Sequence, residues 1–567
     1  MAGNSALGDP LLASALAEYT ESRAEAPTVS LAMPETPFEP TAEQVACVCA
    51  EGPSTLVVAG AGCGKSTVIE MRISALVASG VDPDSILCLS FTNAAADHLA
   101  EICPGIRSQT VASWCRQRFE EALPGVATCS GETFVNFAAD VPALEAIAAL
   151  SSAAEEGRRG STLEAVKEVS RDPEAVGRAL HALGCSDLTA QAAFVAATQA
   201  GSEGSGVSHV IVDEAQDDSA VDLLVVLSFC AAAKASLFMV GDACQSLYEF
   251  RDASPDTLAD LAVSGAFDVR TLTYNFRSSP EVLAVANSVL PMMASNTAHI
   301  SLRAPDGAAR GAATGLTFGW RGRACPRKNL GAALASAALE VVDHVEAGGS
   351  AAVLVRTNSQ VDSCVGILKE AFPDIPVSRM RPRKKASVSC LSAWWARYRG
   401  VLSLVPPASW PQVICHQVCR NLAELGVAPK DEGEAASAVA AWASWATRRG
   451  LGTEGAVAAS IRIFEASLAE DDGGAQEDPA GTLWVSTVHG VKGLEFDGVV
   501  CLVDGAKTSE EDLRLDYVAL TRARRSLVAV VSEHSERICD ATVPGTLGGA
   551  VLGSCGRVGE ILWQGRL

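Results

Sequence analysis

A glycine-rich stretch, AGAGCGKST at residues 59–67, limits the possible folds of this chain more than any other feature. It follows a short apolar run at residues 55–59 and leads into a helical pattern at residues 66–79. Its glycines allow backbone N–H groups to turn toward a phosphate group at the start of the helix. A strand, a loop of this kind and a helix in succession predict an α/β domain with a phosphate-binding loop.

The residues of this loop indicate a nucleoside triphosphate as the ligand. Gly64, Lys65 and Ser66 match the phosphate-loop pattern, whereas Ala59 stands where that pattern has glycine. We expect Lys65 to reach the β- and γ-phosphates of ATP and the Ser66 hydroxyl to bind Mg²⁺. The predicted ATP-binding residues are Ala59, Gly60, Ala61, Gly62, Cys63, Gly64, Lys65, Ser66 and Thr67. A glycine-rich turn with a chance lysine is the alternative, and the flanking strand and helix argue against it.

A second apolar run, VIVDEAQD at residues 210–217, ends in two adjacent carboxylates. We expect Asp213 to hold Mg²⁺, directly or through water, and Glu214 to polarise an attacking water molecule. Alone, an Asp-Glu pair after a strand is more typical of a solvated strand end. Together with the phosphate loop, it favours ATP hydrolysis over the activity of a P-loop kinase, which needs no carboxylate to activate water.

Short apolar runs alternate with helical patterns along the chain. A first set lies at residues 85–92, 208–218 and 235–246, and a second set lies at residues 351–358, 481–487 and 498–504. This alternation predicts two α/β domains with mainly parallel sheets, divided near residue 275. Two Ala-rich stretches are predicted to be helical insertions, one in each domain. The predicted division is a flexible tail at 1–36, a first domain at 37–115 and 206–275 with its insertion at 116–205, and a second domain at 276–387 and 480–567 with its insertion at 388–479.

Composition limits the class of protein and its compartment. The net charge of −23, from 44 basic and 67 acidic residues, argues against a general nucleic-acid coat but is compatible with a local basic channel. No apolar run is long enough to span a bilayer, and the N-terminus lacks the features of a secretory signal. The 18 cysteines have no regular spacing, which suggests free thiols in a reducing compartment. We therefore expect an intracellular protein, cytoplasmic or nuclear, with no membrane partner.

Several further stretches resemble the superfamily 1 helicases of the UvrD/Rep type, and they occur in the order found in that family. They are FEPTAEQ (38–44), LSFTNAAADHL (89–99), SQTVASWC (108–115), VGDACQSLYEFRDA (240–253), LTYNFRSS (272–279), STVHGVKGLEF (486–496) and LDYVALTRARRSL (515–527). The resemblance covers about residues 38–115, 208–380 and 480–530, and VDEAQD and LTRA are its most specific parts. It implies that both α/β domains are RecA-like.

The resemblance also implies roles for individual residues. Around the nucleotide these are Gln44 and Phe276 at the adenine, Gln245 and Arg277 at the γ-phosphate, Glu495 near the ribose and Arg522 as a second arginine finger. Beside single-stranded DNA they are Phe91, Thr92, Asn93, Tyr248, Phe250, Arg251, Thr487 and His489. Two arginines carried by the second domain would complete the site only when the domains close, which would link hydrolysis to movement.

The function implied by the resemblance is that of an ATP-dependent DNA helicase or translocase that moves 3′ to 5′. Its partners would be single-stranded DNA and tailed duplex DNA, its cofactors ATP and Mg²⁺, and its context DNA repair. The alternative is a nucleic-acid-stimulated ATPase switch, or a subunit of a nuclease-containing defence or repair complex, without processive unwinding. The insertion at 388–479 is shorter than in large family members, and basic RPRKKA at 381–386 replaces an acidic stretch. These departures leave the ATPase interpretation intact and duplex unwinding open.

Overall fold

A computed structural model of the protein contains two parallel β-sheets and the helices that cover them. The described residues are 6–91, 93–129, 131–155, 158, 161–199, 205–247, 255–318, 327–380, 390–404, 406–422, 424–425, 436, 439–440, 442–443, 446–447, 453, 456–458, 460–461, 481–503, 509–532 and 550–551. Within them, no helix combines the length and the apolar character needed to cross a bilayer.

The strands, in chain order, are β1 (Ser54–Ala59), β2 (Ile86–Ser90), β3 (Arg107–Thr110), β4 (Ala127–Thr128), β5 (Cys185–Ser186), β6 (His209–Val212), β7 (Ser236–Gly241), β8 (Asp268–Leu272), β9 (Ala312–Phe318), β10 (Ala351–Val355), β11 (Val377–Arg379), β12 (Leu483–Thr487), β13 (Phe496–Val503), β14 (Ala523–Ser532) and β15 (Ala550–Val551).

The helices, in chain order, are α1 (Pro10–Ser22), α2 (Ala42–Val48), α3 (Lys65–Ala78), α4 (Asn93–Ile102), α5 (Val111–Ala122), α6 (Gly131–Ala138), α7 (Glu145–Glu155), α8 (Ser161–Arg171), α9 (Pro173–Leu183), α10 (Leu188–Thr198), α11 (Ala220–Ala233), α12 (Pro255–Val263), α13 (Pro280–Val289), α14 (Arg327–Glu346), α15 (Asn358–Ala371), α16 (Cys390–Tyr398), α17 (Trp410–Arg420) and α18 (Glu510–Leu520).

The first sheet has six parallel strands in the order β3-β2-β6-β7-β1-β8. Its four inner strands are buried along their whole length, which matches their nearly continuous apolar sequences. The sequence did not reveal the two edge strands, β3 and β8, because their residues are mostly polar and half-exposed. The phosphate loop and the Asp213–Glu214 pair both follow carboxyl ends of these strands and therefore meet at one edge.

The second sheet has seven strands in the order β11-β12-β10-β13-β14-β9-β15, again with parallel pairing. The predicted α/β class with two parallel sheets is therefore confirmed. One hydrophobic core extends from the first sheet to the facing side of the second, where it includes Phe496 and Tyr517. The opposite face of the second sheet packs on α14 and α15 and forms a separate core.

Two groups of helices lie outside the sheets. Helices α6 to α10 come between α5 and β6, and they pack on one another and on α5 and α11. Helices α16 and α17 have a small core of their own, which contains Trp394, Ile414 and Trp442. Both groups fall in the stretches that the sequence predicts to be helical insertions, whereas the predicted domain boundaries remain predictions.

The N-terminal region differs from the flexible tail expected at residues 1–36. Residues 10–22 form helix α1, which packs on α11 and buries Leu12, Ala15 and Tyr19 in the main core. The Tyr19 hydroxyl also lies 2.7 Å from Ser54 Oγ on β1. The prediction of a tail is wrong for this helix because it overlooked the helical spacing of these three buried side chains among the other Leu and Ala residues of the segment.

Candidate active site

The phosphate loop has the backbone conformation that its glycines allow. The loop joins β1 to α3, and Gly62 and Gly64 adopt left-handed conformations with φ of 66° and 79°. A Cβ atom at Gly62 would lie 2.6 Å from Asn275 Nδ2, so only glycine fits there. Asn275 itself donates from Nδ2 to the Ala61 carbonyl at 2.6 Å. The loop therefore presents the N-terminus of a 14-residue helix in a fixed position, which suits a phosphate group.

Lys65 is the first residue of α3, and its ammonium group pairs with a carboxylate on the neighbouring strand end. Lys65 Nζ lies 2.7 Å from Glu214 Oε2, which also accepts a 2.5 Å hydrogen bond from Gln216 Nε2. Burial opposes the charged form of Lys65, but Glu214 and two nearby aspartates outweigh it and raise the pKa of the lysine. Burial likewise opposes the charged form of Glu214, yet Lys65 holds the pKa of this carboxyl well below its ordinary value.

The expected magnesium ligands fit the chemistry of that ion. Asp213 follows β6 and Ser66 lies in the first turn of α3, so a carboxylate and a hydroxyl flank the phosphate loop. Burial and the adjacent Glu214 raise the pKa of the Asp213 carboxyl, and a divalent cation would favour its ionised form. Within the described residues no group of three or more His, Cys, Asp or Glu side chains is placed to hold a metal ion. Mg²⁺ needs no such cage, because it uses one or two protein ligands together with phosphates and water.

Gln245, predicted to act at the γ-phosphate, and Arg522, predicted to be a second arginine finger, contact each other. Arg522 Nη2 donates to Gln245 Oε1 at 3.2 Å, and Gln245 Nε2 donates to Asp242 Oδ2 at 2.7 Å. Arg522 is almost completely buried, and burial together with nearby Arg277 lowers its pKa to about 9. The second sheet thus contributes an arginine to the nucleotide edge of the first sheet.

Arg277 and Glu495, predicted to lie at the γ-phosphate and the ribose, form an ion pair. Arg277 Nε donates to Glu495 Oε2, and Arg524 Nε donates to Glu495 Oε1 at 3.0 Å. Burial would raise the pKa of Glu495, but the two arginines outweigh burial and lower it. Glu495 therefore carries a negative charge that a phosphate group would have to replace before Arg277 could bind the nucleotide.

The two residues expected at the adenine lie beside the phosphate loop. Phe276 donates its backbone N–H to the Gly62 carbonyl at 2.9 Å, and its side chain is 52% exposed. Gln44 is buried on α2, where Gln44 Oε1 accepts a 2.9 Å hydrogen bond from the Thr41 backbone. A Cβ atom at Gly64 would lie 3.4 Å from Gln44 Nε2 and 3.8 Å from the Phe276 ring. An exposed aromatic face and an amide therefore flank one end of the loop.

The expected DNA contacts are only partly described. Phe91 directly follows β2, Asn93 begins α4, and Thr487 ends β12, so these positions lie at carboxyl ends of strands in the two sheets. His489 hydrogen-bonds to the backbone of Leu247, and burial lowers its pKa despite that bond. Four further predicted contacts lie outside the described residues, namely Thr92, Tyr248, Phe250 and Arg251.

Several residues at the site were given no role in the sequence analysis. Lys492 pairs with the buried Asp217 and donates from Nζ to the Gln245 carbonyl at 3.0 Å. Tyr517 accepts a 3.0 Å hydrogen bond from the Ala61 backbone N–H. Asp242 had a visible signal, because it follows a strand just as Asp213 does. Tyr517 and Lys492 lie in stretches that carry the resemblance, but no local pattern connects them to the phosphate loop.

Comparisons with known protein families agree with this arrangement. A family described as an AAA domain matches residues 43–251, and the UvrD-like helicase C-terminal domain matches residues 482–530. The first match contains the phosphate loop and the Asp213–Glu214 pair, and the second contains Glu495 and Arg522. The two matched segments thus supply the two sides of the candidate site.

Individual relatives cover only parts of the chain. An ATP-dependent DNA helicase UvrD1 of Mycobacterium tuberculosis is 27% identical over 305 residues, which is 44% of this chain and 38% of that protein. An ATP-dependent helicase/nuclease subunit of Staphylococcus carnosus is 35% identical over 96 residues, 16% of this chain and 8% of that protein. The corresponding protein of Lactobacillus johnsonii is 33% identical over 101 residues, 17% of this chain and 8% of that protein. The chain thus matches well under half of the length of these relatives.

Proposed function

We propose that this protein is an ATP-dependent DNA helicase or translocase moving 3′ to 5′, and the matches to an AAA domain and to the UvrD-like helicase C-terminal domain support this proposal. The observation that carries the proposal is the meeting of two sets of side chains at one edge. Lys65 and Glu214 come from the first sheet, and Arg522 comes from the second and contacts Gln245. Such a site is complete only while the two domains are in contact, which is what a nucleotide-driven motor requires.

The ion pairs of the site suggest how hydrolysis proceeds. Lys65 would leave Glu214 to bind the β- and γ-phosphates, and the pKa of Glu214 would then rise because its cation has gone. Glu214 would accept the proton of the attacking water at Oε2, the atom that now faces Lys65. Mg²⁺, held by Ser66 and Asp213, would neutralise charge on the phosphate oxygens.

The arginines of the second domain would act in the same step. Arg277 would exchange Glu495 for the γ-phosphate, and Arg522 would stabilise charge that develops on the transferred phosphoryl group. Each cation has a carboxylate or amide partner in the structure, so none has to remain buried and unpaired between turnovers. Release of the phosphate would restore the Lys65–Glu214 and Arg277–Glu495 pairs, each of which lies within one domain, and would remove the ligand that favours closure.

A second candidate function is a nucleic-acid-stimulated ATPase that works within a nuclease-containing complex without processive unwinding. The printed names of two relatives, each a helicase/nuclease subunit, favour this candidate. The same residues would hydrolyse ATP in both cases. The two candidates differ in whether hydrolysis separates strands.

The test measures ATP turnover with and without single-stranded DNA, and strand displacement on duplexes with a 3′ tail, a 5′ tail or an RNA tail. We expect DNA to stimulate turnover and only the 3′-tailed DNA duplex to be separated. Stimulation without displacement would favour the second candidate, and equal turnover with and without any nucleic acid would contradict both.

Two variants show that the measured turnover belongs to this site. Lys65→Ala should abolish hydrolysis, because the phosphates lose their fixed cation. Glu214→Gln should still bind ATP while turnover falls by about 100-fold or more, since the water loses its proton acceptor. Wild-type turnover in Glu214→Gln would show that another carboxylate activates the water.

A further inference from the structure

Tyr517 of α18 reaches from the second sheet into the phosphate loop of the first. The side chain is fully buried, and its hydroxyl accepts a 3.0 Å hydrogen bond from the Ala61 N–H. The same hydroxyl donates to Asp242 Oδ2 at 3.5 Å. One phenolic oxygen therefore connects the loop that would hold the phosphates to the carboxylate at the end of β7.

This contact is part of a series of hydrogen bonds that begins and ends on the second domain. Asp242 Oδ2 also accepts from Gln245 Nε2 at 2.7 Å, and Gln245 Oε1 accepts from Arg522 Nη2 at 3.2 Å. Tyr517 and Arg522 lie at the C-terminal end of α18 and just beyond it, so the second domain holds the Asp242–Gln245 unit from two sides. Asp242 and Gln245 are themselves buried, which strengthens these bonds and makes their loss costly.

Further hydrogen bonds from the second domain reach residues 245–247, which directly precede the predicted DNA contacts. Arg514 Nε donates to the Ser246 carbonyl at 3.0 Å, and His489 hydrogen-bonds to the backbone of Leu247. Residues 245–247 are thus held by the second domain at three successive positions, counting Lys492 at the Gln245 carbonyl. Arg514 and Tyr517 both lie on α18, so this helix contacts both residues 245–247 and the phosphate loop.

Helix α18 is held against its own sheet by two ion pairs. Arg356, at the end of β10, pairs with Asp512 and lies 3.1 Å from Asp516 through Nη2. Both aspartates are on α18, and both are buried. These ion pairs link the helix that carries Tyr517 to β10 of the second sheet.

We propose that Tyr517 is a positioning residue that, through its hydroxyl and Asp242, couples the phosphate loop to residues 245–247, which directly precede the predicted DNA contacts. The proposal rests on the proposed function, because it assigns how the two domains communicate during turnover. Tyr517 touches the loop and Asp242 and takes no part in the chemical step. Its hydroxyl is hydrogen-bonded to the Ala61 N–H, so a displacement of the phosphate loop would change this contact with the second domain.

Tyr517→Phe tests the proposal, because it removes one oxygen and keeps the buried ring. ATP turnover is measured against ATP concentration at saturating single-stranded DNA and without DNA. We expect the stimulated kcat to fall by about tenfold, or about 1.4 kcal/mol, while the KM for ATP changes by less than about threefold. Tyr19→Phe is the matched control, since its ring is also fully buried and its hydroxyl contacts Ser54 away from the loop.

The outcomes separate this proposal from the proposed function. If wild-type protein shows no stimulation by nucleic acid, the proposed function fails. If wild-type protein is stimulated and Tyr517→Phe is stimulated to the same extent, the positioning role fails. A loss of stimulation equal to that of Tyr19→Phe, with the same lowering of the unfolding midpoint, would also overturn it, because the hydroxyl would then serve only stability.

Discussion

At the residue scale, two basic side chains of the candidate site are paired with carboxylates. Lys65 pairs with Glu214, and Arg277 pairs with Glu495. These pairs keep buried charges compensated, and they are also the contacts that a triphosphate would have to replace. The residues expected at the adenine form no such pair, so substitutions there should affect nucleotide affinity without disturbing the charge balance.

Phe276→Ala should therefore raise the KM for ATP. Loss of stacking on the base costs about 1–3 kcal/mol, and about 1.4 kcal/mol corresponds to tenfold in affinity. Phe137→Ala is the control, because that ring is exposed to a similar degree, 53% against 52%, on helix α6. The measurement is the affinity of each variant for ATP and for single-stranded DNA.

Phe250→Ala completes this comparison, although the residue lies outside the described part of the chain. We expect it to weaken single-stranded DNA binding and to leave ATP affinity nearly unchanged. If instead Phe250→Ala loses ATP affinity while Phe276→Ala loses only DNA affinity, the roles assigned to the two stretches are wrong even though the family resemblance stands.

At the element scale, helix α1 is part of the first domain. Three of its side chains enter the main core, and Lys167 on α8 pairs with Asp9, the N-cap residue of α1, at 3.0 Å. The helix thus joins the first sheet to one of the inserted helices. Removing a buried side chain from it should lower the stability of the whole domain.

Leu12→Ala should lower the free energy of unfolding by about 2–5 kcal/mol, because Leu12 is fully buried. Leu339→Ala removes the same atoms from a side chain that is 60% exposed, and it should cost about 0.5 kcal/mol or less. Thermal unfolding followed by circular dichroism compares the two variants. Equal midpoints would mean that α1 does not contribute to the folded core in solution.

Strand β6 carries a histidine that should make stability depend on pH. Burial and nearby Arg72 lower the pKa of His209 to about 4. The unfolded chain would therefore bind the proton more readily between pH 4 and the ordinary histidine range, so stability is full at neutral pH and decreases on acidification through that window. The slope from this group is at most about 1.4 kcal/mol per pH unit.

His209→Gln should reduce this slope, because the uncharged amide has no proton to gain. The measurement is the free energy of unfolding at several pH values from about 7 down to about 4. His181→Gln, at an exposed position of α9, is the control for the substitution itself. If the free energy of unfolding of His209→Gln depends on pH as in the wild type, groups other than His209 cause the loss of stability in acid.

At the scale of the whole molecule, the two domains are joined by polar contacts as well as by the shared core. The Asp217 carboxylate is almost completely buried, and burial, despite the opposing charge of Lys492, raises its pKa to about 6. Lys492 belongs to the second domain as predicted from the sequence, and Asp217 to the first. This pair therefore connects the domains next to Gln245, whose carbonyl also accepts a hydrogen bond from Lys492.

Lys492→Met should destabilise the protein by about 3–5 kcal/mol, because it leaves a buried carboxylate without its partner. Adding Asp217→Asn should restore part of that loss, since the uncompensated charge is then removed. Thermal unfolding of both single variants and the double variant gives the coupling energy. Lys167→Met, in a half-exposed pair, is the control and should cost about 0–1 kcal/mol. Strictly additive losses would show that the pair does not join the domains in solution.

The sequence alone determined those features that depend on neighbouring residues. The strand, loop and helix around Lys65 could be predicted because glycine conformation and apolar spacing are local properties. The Asp213–Glu214 pair could be predicted because it directly follows an apolar run. Helix α1 was missed for a local reason as well, since the spacing of its buried side chains was overlooked among the other Leu and Ala residues of the segment.

Only the tertiary structure decided which distant residues meet. Tyr517 and Ala61 are 456 positions apart, and Lys492 and Asp217 are 275 positions apart, yet each pair is in contact. Such contacts depend on how the two sheets face each other, and periodicity within a strand or helix carries no information about that placement. The pairing of Arg277 with Glu495 is of the same kind, because the resemblance predicts a place near the nucleotide for each residue but says nothing of their contact. The sequence therefore predicted the local elements that carry the candidate site, and only the tertiary structure showed which of its side chains meet across the domains.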